Sequence, residues 1–320
     1  MNEVVTDKDK EYEAREAAAA PGDAQPNADR VNNRTLRPTG ETFRHFMTTG
    51  WDDQEPEIEP LESSRYIQAR IDALGAQFPG ERIVIPAGTP KVRSNDCDYA
   101  FRPDTTFAYY TGLGQDYEAG AVLVLNPVDP DSEEAKAGRT HTAELFVAPR
   151  ADNSTEEYYT SAQYGEYWVG PRAGLKELAA MTGLETHDIA QLADAIGKDV
   201  GAEAGAVRVR VIRETDAAIT ELVEGVREAN GFADPDSNTA ADDKLHEVAA
   251  EARMIKDAYE VGEMRKAVAA TKKGFDRILK TLPHVIDKER SERMLEGAFN
   301  SVSREEGNEV GYDTIIASGP

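Results

Sequence analysis

The side chains with the strongest potential for chemistry are scattered along this chain rather than grouped. The 320 residues contain five histidines, with no H-E-x-x-H motif and no pair four residues apart: His45, His141, His187, His246 and His284. The single cysteine, Cys97, supports neither a cysteine-based zinc site nor a disulfide framework. No G-x-S-x-G, G-x-G-x-x-G or phosphate-loop sequence occurs. These patterns predict no metal ligand and no catalytic nucleophile in this chain.

Aromatic and charged residues are concentrated in two stretches, DYAFRPDTTFAYYTG (98–112) and EYWVGPRAG (166–174). The first stretch is either a core strand with a charged entrance or the rim of a site, and a core strand around Phe107, Tyr109 and Tyr110 is our prediction. In the second stretch, Trp168 is either a packing residue or an interface anchor, since tryptophan is enriched at interfaces.

Strand-like and helix-like segments alternate between residues 62 and 232, which is typical of an α/β fold. Apolar residues at helical spacing predict a first helix in ESSRYIQARIDALG (62–75). Strands are predicted in ERIVIP (81–86), AVLVLNP (121–127), AELFVAPR (143–150) and AVRVRVIRE (206–214). Helices are predicted near 155–164, 174–181 and 188–196, and in TDAAITELVEGVREANG (215–231).

Composition divides the chain into four parts. Residues 1–61 are acidic and poor in large apolar groups, so they are predicted to be a largely disordered N-terminal extension. Residues 62–232 form the α/β domain, and the acidic stretch 233–244 is predicted to be a linker. Residues 245–320 form a second domain of long helices.

The second domain contains a clear helix start. Asp257 with Glu260 three residues later is a capping-box pattern, followed by a long apolar stripe on a helix of about six turns. Another helix is predicted from Asp287, with Leu295, Phe299 and Val302 facing inward. GYDTIIASG (311–319) is predicted to be a strand, and a strand with nothing to pair with predicts that the chain is a piece of a longer protein.

Charge and hydropathy exclude several classes of partner. The formal net charge is −24, which argues against binding to nucleic acid or to anionic membranes. No apolar run of 18 residues is present, so no transmembrane helix is expected. With one cysteine and no basic, apolar leader at the start, the expected location is the cytoplasm.

Five segments, in order, resemble the aminopeptidase P family, the Xaa-Pro aminopeptidases of the pita-bread metallopeptidases. They are RSNDCDYAFRPDTTFAYYTGLGQDYEAGAVLVL (93–125), LFVAPR (145–150), YWVGPRAG (167–174), MIKDAYEVGEMRKA (254–267) and LEGAFN followed by GYDTIIASGP (295–320). The resemblance covers about residues 62–320. It implies an aminopeptidase P or creatinase-type α/β domain, followed by the start of an incomplete α+β pita-bread domain.

The resemblance also implies a reaction, the hydrolysis of the bond between an N-terminal residue and proline. Members of the family use two divalent metal ions per active site, typically Mn²⁺, held by two Asp, one His and two Glu. All of these ligands follow the Y-x-T-I segment in the family, so we expect them beyond Pro320. The chain alone is therefore expected to bind no two-metal centre and to be inactive.

Three positions match family residues that lie on the substrate side or at an interface: Asp96, Trp168 and Tyr312. By resemblance, Asp96 and Trp168 approach a neighbouring subunit's pocket, so a homo-oligomer, a dimer or a tetramer, is expected. Tyr312 resembles a tyrosine that lines the metal site. The charged entrance of 98–112 would then face a partner's cleft.

Beside an Xaa-Pro aminopeptidase, whose partners are peptides with proline in the second position, two other interpretations stay open. The chain is part of a prolidase, which prefers X-Pro dipeptides, or it is a non-catalytic interaction module of the same fold.

Overall fold

The computed structural model describes residues 45, 46, 49 and 58–318, except for 96, 116, 118, 154, 202, 204, 205 and 233. The predicted disordered extension 1–61 therefore lies almost entirely outside the described residues. The chain divides into two compact units, one up to His246 and the other from Glu247 onward.

In the part of the first unit that the structure describes there are seven strands and most of the helices. Its strands are β1 (Glu81–Pro86), β2 (Val92–Ser94), β3 (Cys97–Asp98), β4 (Val122–Pro127), β5 (His141–Val147), β6 (Glu185–Asp188) and β7 (Arg208–Val211). Its helices before β6 are α1 (Ser64–Gly75), α2 (Thr105–Thr111), α3 (Glu133–Lys136), α4 (Glu157–Thr160), α5 (Glu166–Val169) and α6 (Leu175–Thr182). After β6 come a 3₁₀ turn (Ile189–Gln191), α7 (Leu192–Gly197) and α8 (Ala217–Ala229), and α9 (Pro235–Ala252) runs across the division.

Five of the strands form one mixed sheet in the order β6-β5-β4-β1-β7. The central β4 is antiparallel to both β1 and β5, whereas the outer strands β7 and β6 run parallel to β1 and β5. Strands β2 and β3 form a separate antiparallel hairpin. The predicted α/β class is confirmed.

Both faces of the sheet are covered, which explains the continuous apolar runs in β1 and β4. On one face, Val84, Val124 and Val211 pack with Ile196 of α7 and Val223 of α8. The helices α1 and α2 contact β1, β4 and β5, and their buried side chains include Ile67, Ile71, Leu74, Phe107 and Tyr110.

The predicted core strand around Phe107 is wrong, because residues 105–111 form α2. The Asp104 carboxylate caps this helix by accepting hydrogen bonds from the backbone N–H groups of Thr106 (2.8 Å) and Phe107 (3.4 Å). Gly112 ends it with a φ of +72°, a conformation that glycine adopts readily. Phe107 and Tyr110 are three residues apart, so both point into the core from one helix face.

The second unit consists of α10 (Ala258–Val285) and α11 (Ser291–Glu306) packed on each other. The predicted capping box is confirmed, with Asp257 and Glu260 each accepting from the other's backbone N–H. Close packing centres on Gly274, where an added Cβ would lie 2.6 Å from the Phe299 ring.

Three sequence predictions for the region after residue 232 are wrong. The stretch predicted as a linker at 233–244 is largely helical, since α9 begins at Pro235. The helix predicted from Asp287 begins at Ser291. Residues 313–318 form no strand, and Ile315 is 88% exposed. A strand needs a neighbour for its backbone groups, and none lies beside this segment among the described residues.

Candidate functional site

The hairpin β2–β3 carries the charged entrance that the sequence singled out. Arg93 and Asp98 are exposed on it, and Asn95 turns the chain with a φ of +49°. Asn tolerates this left-handed conformation better than most residues. Asp96, the predicted site residue, lies outside the described residues, so its proposed role stays a prediction.

Residues 157–172, which we call the aromatic turn, present large apolar side chains to solvent. Tyr167, Trp168 and Val169 are each about half exposed on the short helix α5. The indole N–H of Trp168 donates to the carbonyl oxygen of Tyr159 at 2.6 Å, and the indole meets the Tyr167 ring edge-on at 5.8 Å. The polar edge of Trp168 is therefore anchored, while about 47% of the residue remains accessible.

Arg172 holds the aromatic turn on the end of β5. Its guanidinium donates to the carbonyl oxygens of Tyr164 (3.0 Å) and Ala148 (3.3 Å) and stacks over the Tyr164 ring at 5.0 Å. Gly170 completes the turn with a φ of +84°. The sequence reasoning gave Arg172 no role, although the W-x-G-x-R spacing contained the signal.

Glu166 sets the local electrostatics of the turn. Its carboxylate accepts a hydrogen bond from the backbone N–H of Arg172 at 2.7 Å. Partial burial, together with the negative charge of Glu166, raises the pKa of the Tyr158 phenol above its ordinary value.

The third predicted residue, Tyr312, belongs to the second unit and is 86% exposed. Its segment is tied to α11 by two contacts: the Thr314 hydroxyl donates to the Asn300 side-chain oxygen at 2.8 Å, and the Ser318 backbone N–H donates to Glu292 at 2.7 Å. Trp168 and Tyr312 thus lie in different units, and the separate roles that the resemblance implies for them stay predictions.

The described residues do not fit a two-metal centre of the kind that the resemblance implies. Only one group of three or more potential ligands occurs among them, formed by Glu144, Glu185 and His187. It lies on β5 and β6 of the first unit and offers three donor atoms, one from each residue. Two ions held by two Asp, one His and two Glu require a larger set of ligands.

Comparison with known proteins identifies relatives along most of the chain. Residues 67–208 match the profile of the aminopeptidase P N-terminal domain. Xaa-Pro aminopeptidase 1 of Streptomyces coelicolor is 38% identical over 279 residues, covering 86% of this chain and 50% of the relative. Xaa-Pro aminopeptidase 2 of the same organism is 36% identical over 275 residues, covering 86% and 52%. The chain thus spans about half the length of the curated relatives it matches.

Solved structures agree at the level of the fold. Aminopeptidase P from Escherichia coli, in its low-pH form, superposes with a TM-score of 0.57 at 22% identity, covering 79% of this chain and 51% of that one. Proline aminopeptidase P II from Yersinia pestis gives a TM-score of 0.54 at 21% identity, covering 76% and 50%. Among the described residues, each helix is too short or too polar to cross a lipid bilayer.

Proposed function

This chain belongs to the aminopeptidase P family, and we propose on that basis that it is the N-terminal portion of an enzyme that removes an N-terminal residue ahead of proline. The observation that carries the proposal is the 38% identity to a Xaa-Pro aminopeptidase over 86% of the chain. The matched region includes the domain at residues 67–208 and continues into the second unit.

The exposed apolar face of α10 supports a longer functional protein. Met264, Val268, Phe275 and Leu279 are all more than half exposed on this helix. Contiguous apolar surface on a helix usually packs against another element. We propose that the part of the relatives that this chain does not span supplies that element.

In this proposal the chain's own residues form a wall of the substrate cleft. The exposed indole of Trp168 offers a flat apolar surface that suits a proline ring, and Arg172 fixes the turn that presents it. By resemblance, the wall serves a neighbouring subunit, so the intact enzyme is proposed to be a homo-oligomer. Tyr312 is proposed, by resemblance, to line the metal site of the intact enzyme.

Metal binding for the reaction is assigned to the rest of the longer protein. Since the described residues offer no ligand set that fits two manganese ions, we propose that this chain alone does not hydrolyse peptides. The proposed metal, Mn²⁺, follows from the family resemblance.

The test compares the 320-residue chain with the extended reading frame of its parent gene, both assayed with Mn²⁺. We expect only the extended protein to release an amino acid from an X-Pro-Y tripeptide. Hydrolysis by the 320-residue chain, with stoichiometric manganese bound, would contradict the proposal. Turnover of X-Pro dipeptides alone would indicate a prolidase, and a folded extended protein without any peptidase activity would indicate an interaction module.

A second test addresses the wall itself in the extended protein. Trp168→Ala should lower kcat/KM for the tripeptide about ten-fold, the size of a moderate contact of about 1.4 kcal/mol. Phe46→Ala is the matched control, because Phe46 is an exposed aromatic residue of the same unit outside both the aromatic turn and the 98–112 stretch. Equal effects of the two substitutions would remove Trp168 from the proposed cleft.

A further inference from the structure

The edge of the main sheet brings together a histidine and two carboxylates that are far apart in sequence. The parallel pairing of β5 and β6 places Glu144 beside Glu185 and Phe146 beside His187. Because side chains alternate along a strand, Glu185 and His187 share one face with Glu144. One ligand atom from each of these three residues lies within 4.8 Å of the other two.

His187 is the best-positioned member of this group, which we call the edge triad. Its ring is stacked on Phe146, with ring centroids 5.2 Å apart and planes at 28°, so the packing holds its orientation. Its Nε2 atom is buried and makes no hydrogen bond among the described residues. This atom lies 3.4 Å from Oε1 of Glu185, in an ion pair that exists only when the ring is protonated. In the neutral ring, the tautomer protonated on Nδ1 presents the Nε2 lone pair to the carboxylate, an arrangement that a cation between the two atoms stabilises.

The distance between these two atoms suits a metal ion. A tetrahedral zinc ion with ligands at about 2.1 Å requires donor atoms roughly 3.4 Å apart. Glu185 is exposed, so its carboxylate can rotate to close the remaining distance to Glu144. The edge triad thus offers three donors and leaves a fourth position for water.

Neighbouring charge weakens the site without occupying it. The guanidinium of Arg82 interacts electrostatically with the carboxylate of Glu144, but its hydrogen bonds go to other acceptors. It bonds to the Asn126 side chain (2.6 Å) and to the carbonyl oxygens of Ile196 (2.7 Å) and Lys198 (2.6 Å). Two carboxylates and one buried guanidinium leave the surroundings of the triad with net negative charge.

We propose that Glu144, Glu185 and His187 bind one divalent transition-metal ion, with zinc as the best-suited species. An imidazole nitrogen with carboxylate oxygens favours zinc over magnesium, which prefers oxygen ligands alone. The ion would link Glu144 of β5 to Glu185 of the edge strand β6, 41 residues later in the sequence, and so hold that edge in register. This site lies in the first unit and is independent of the metals that the peptidase reaction is proposed to use.

Titration calorimetry with ZnCl₂ tests the edge triad in the untagged 320-residue chain. All variants carry Cys97→Ser, because Cys97 is exposed and its thiolate could also bind zinc. We expect one site per chain, weakened by at least about ten-fold in Glu185→Gln and in His187→Gln, since even losing an outer-shell partner can cost that much. His246→Gln, which removes an exposed histidine of the same unit, should leave the affinity unchanged.

Thermal unfolding provides the second measurement. Zinc should raise the Tm of the parent chain and of His246→Gln, but not the Tm of the two triad variants. Glu185 is exposed, so its substitution keeps the fold and the comparison remains informative if His187→Gln fails to fold. Absence of a zinc site in the folded chain, or equal affinity in all variants, would show that the triad is an ordinary ion pair and overturn the proposal.

Discussion

The two units of the chain contain helices of similar design, but only the first unit buries their apolar faces. Val223 of α8 is fully buried against the sheet, whereas Val268 of α10 is 69% exposed. Both helices begin with a capping aspartate, Asp216 and Asp257. Local sequence therefore determines where these helices form, while burial depends on the presence of a sheet to receive them.

The comparison also separates two kinds of ion pair. In the first unit, Asp242 and Arg227 are both almost fully buried and joined at 2.6 Å. In the second unit, Lys272 and Asp276 are joined at 2.7 Å on an exposed helix surface. Similar distances should thus correspond to very different contributions to stability.

The largest expected effect comes from removing the buried carboxylate. Asp242→Ala removes the buried carboxylate that pairs with Arg227 and Arg213, so that Arg227 keeps only the half-buried Glu224 as a charged partner. It also removes the acceptor for the backbone N–H of Val211, 2.9 Å from the Asp242 carboxylate. We expect the free energy of unfolding of the first unit to fall by about 3–5 kcal/mol. Urea unfolding followed by circular dichroism measures the loss, and peptide-resolved hydrogen exchange assigns it to the first unit.

Asp276→Ala is the matched control for this prediction. It breaks an exposed pair and should change stability by less than about 1 kcal/mol. Equal losses in the two variants would mean that burial does not distinguish the two regions.

A matched pair of valine truncations gives the next largest effect. Val223→Ala should cost about 2 kcal/mol, because it removes buried methyl groups from a packed core. Val268→Ala should be neutral or slightly stabilising, since the side chain is exposed and alanine favours helix more than valine does. The same urea and hydrogen-exchange measurements apply, and a large loss at Val268 would reveal a packing partner for α10 in solution.

The parts of the fold that could be predicted from the sequence are those that depend on local signals, and the parts that could not depend on a packing partner. The apolar runs of β1 and β4 and the capping box at Asp257 are local signals, and each correctly indicated its element. The helix α2 was missed although its cap, Asp104, precedes it, because three aromatic residues within four positions (107–110) were taken as a strand signal. Residues 311–319 were predicted as a strand bounded by glycines, yet a strand requires a partner that local sequence does not provide.

The contacts within the aromatic turn and the edge triad were harder to predict from the sequence than the strands and helices. Arg172 donates a hydrogen bond to the carbonyl oxygen of Ala148, which lies 24 residues earlier in the chain. The W-x-G-x-R motif contains the arginine, but a short motif does not encode such a distant contact. The edge triad depends on the parallel register of β5 and β6, which pairs Glu144 with Glu185. No short spacing in the sequence encodes that register, so histidine motifs give no sign that His187 lies beside two carboxylates.

The helix caps provide a smaller and more local comparison. Asp216 accepts from the backbone N–H groups of Ala218 (3.0 Å) and Ile219 (3.2 Å), and Asp257 forms the capping box with Glu260. Replacing either aspartate with alanine should cost about 1 kcal/mol. Hydrogen exchange should speed up across the first unit for Asp216→Ala, but only at the start of α10 for Asp257→Ala. A first-unit effect from Asp257→Ala would show that the two units unfold together.

The smallest effect concerns acid sensitivity of the first unit, through His141. Burial lowers the pKa of this imidazole, although its hydrogen bond with the carbonyl oxygen of Glu81 (2.8 Å) and the charges of Asp72 and Glu81 oppose the shift. The unfolded chain, with an ordinary pKa of about 6.5, binds the proton first as the pH falls. The contribution of His141 is thus complete above about pH 6.5 and decreases on acidification through the lower folded pKa.

This prediction is tested by comparing urea stability at pH 7.5 and pH 5 for the parent chain and His141→Gln, whose amide can still donate to the Glu81 carbonyl. The variant should lose less stability on acidification than the parent, because it has no ring to protonate. His246→Gln, at an exposed position of the same unit, should keep the parent's pH dependence. If His141→Gln retains that dependence in full, the acid sensitivity of the first unit arises from its carboxylates rather than from the buried imidazole.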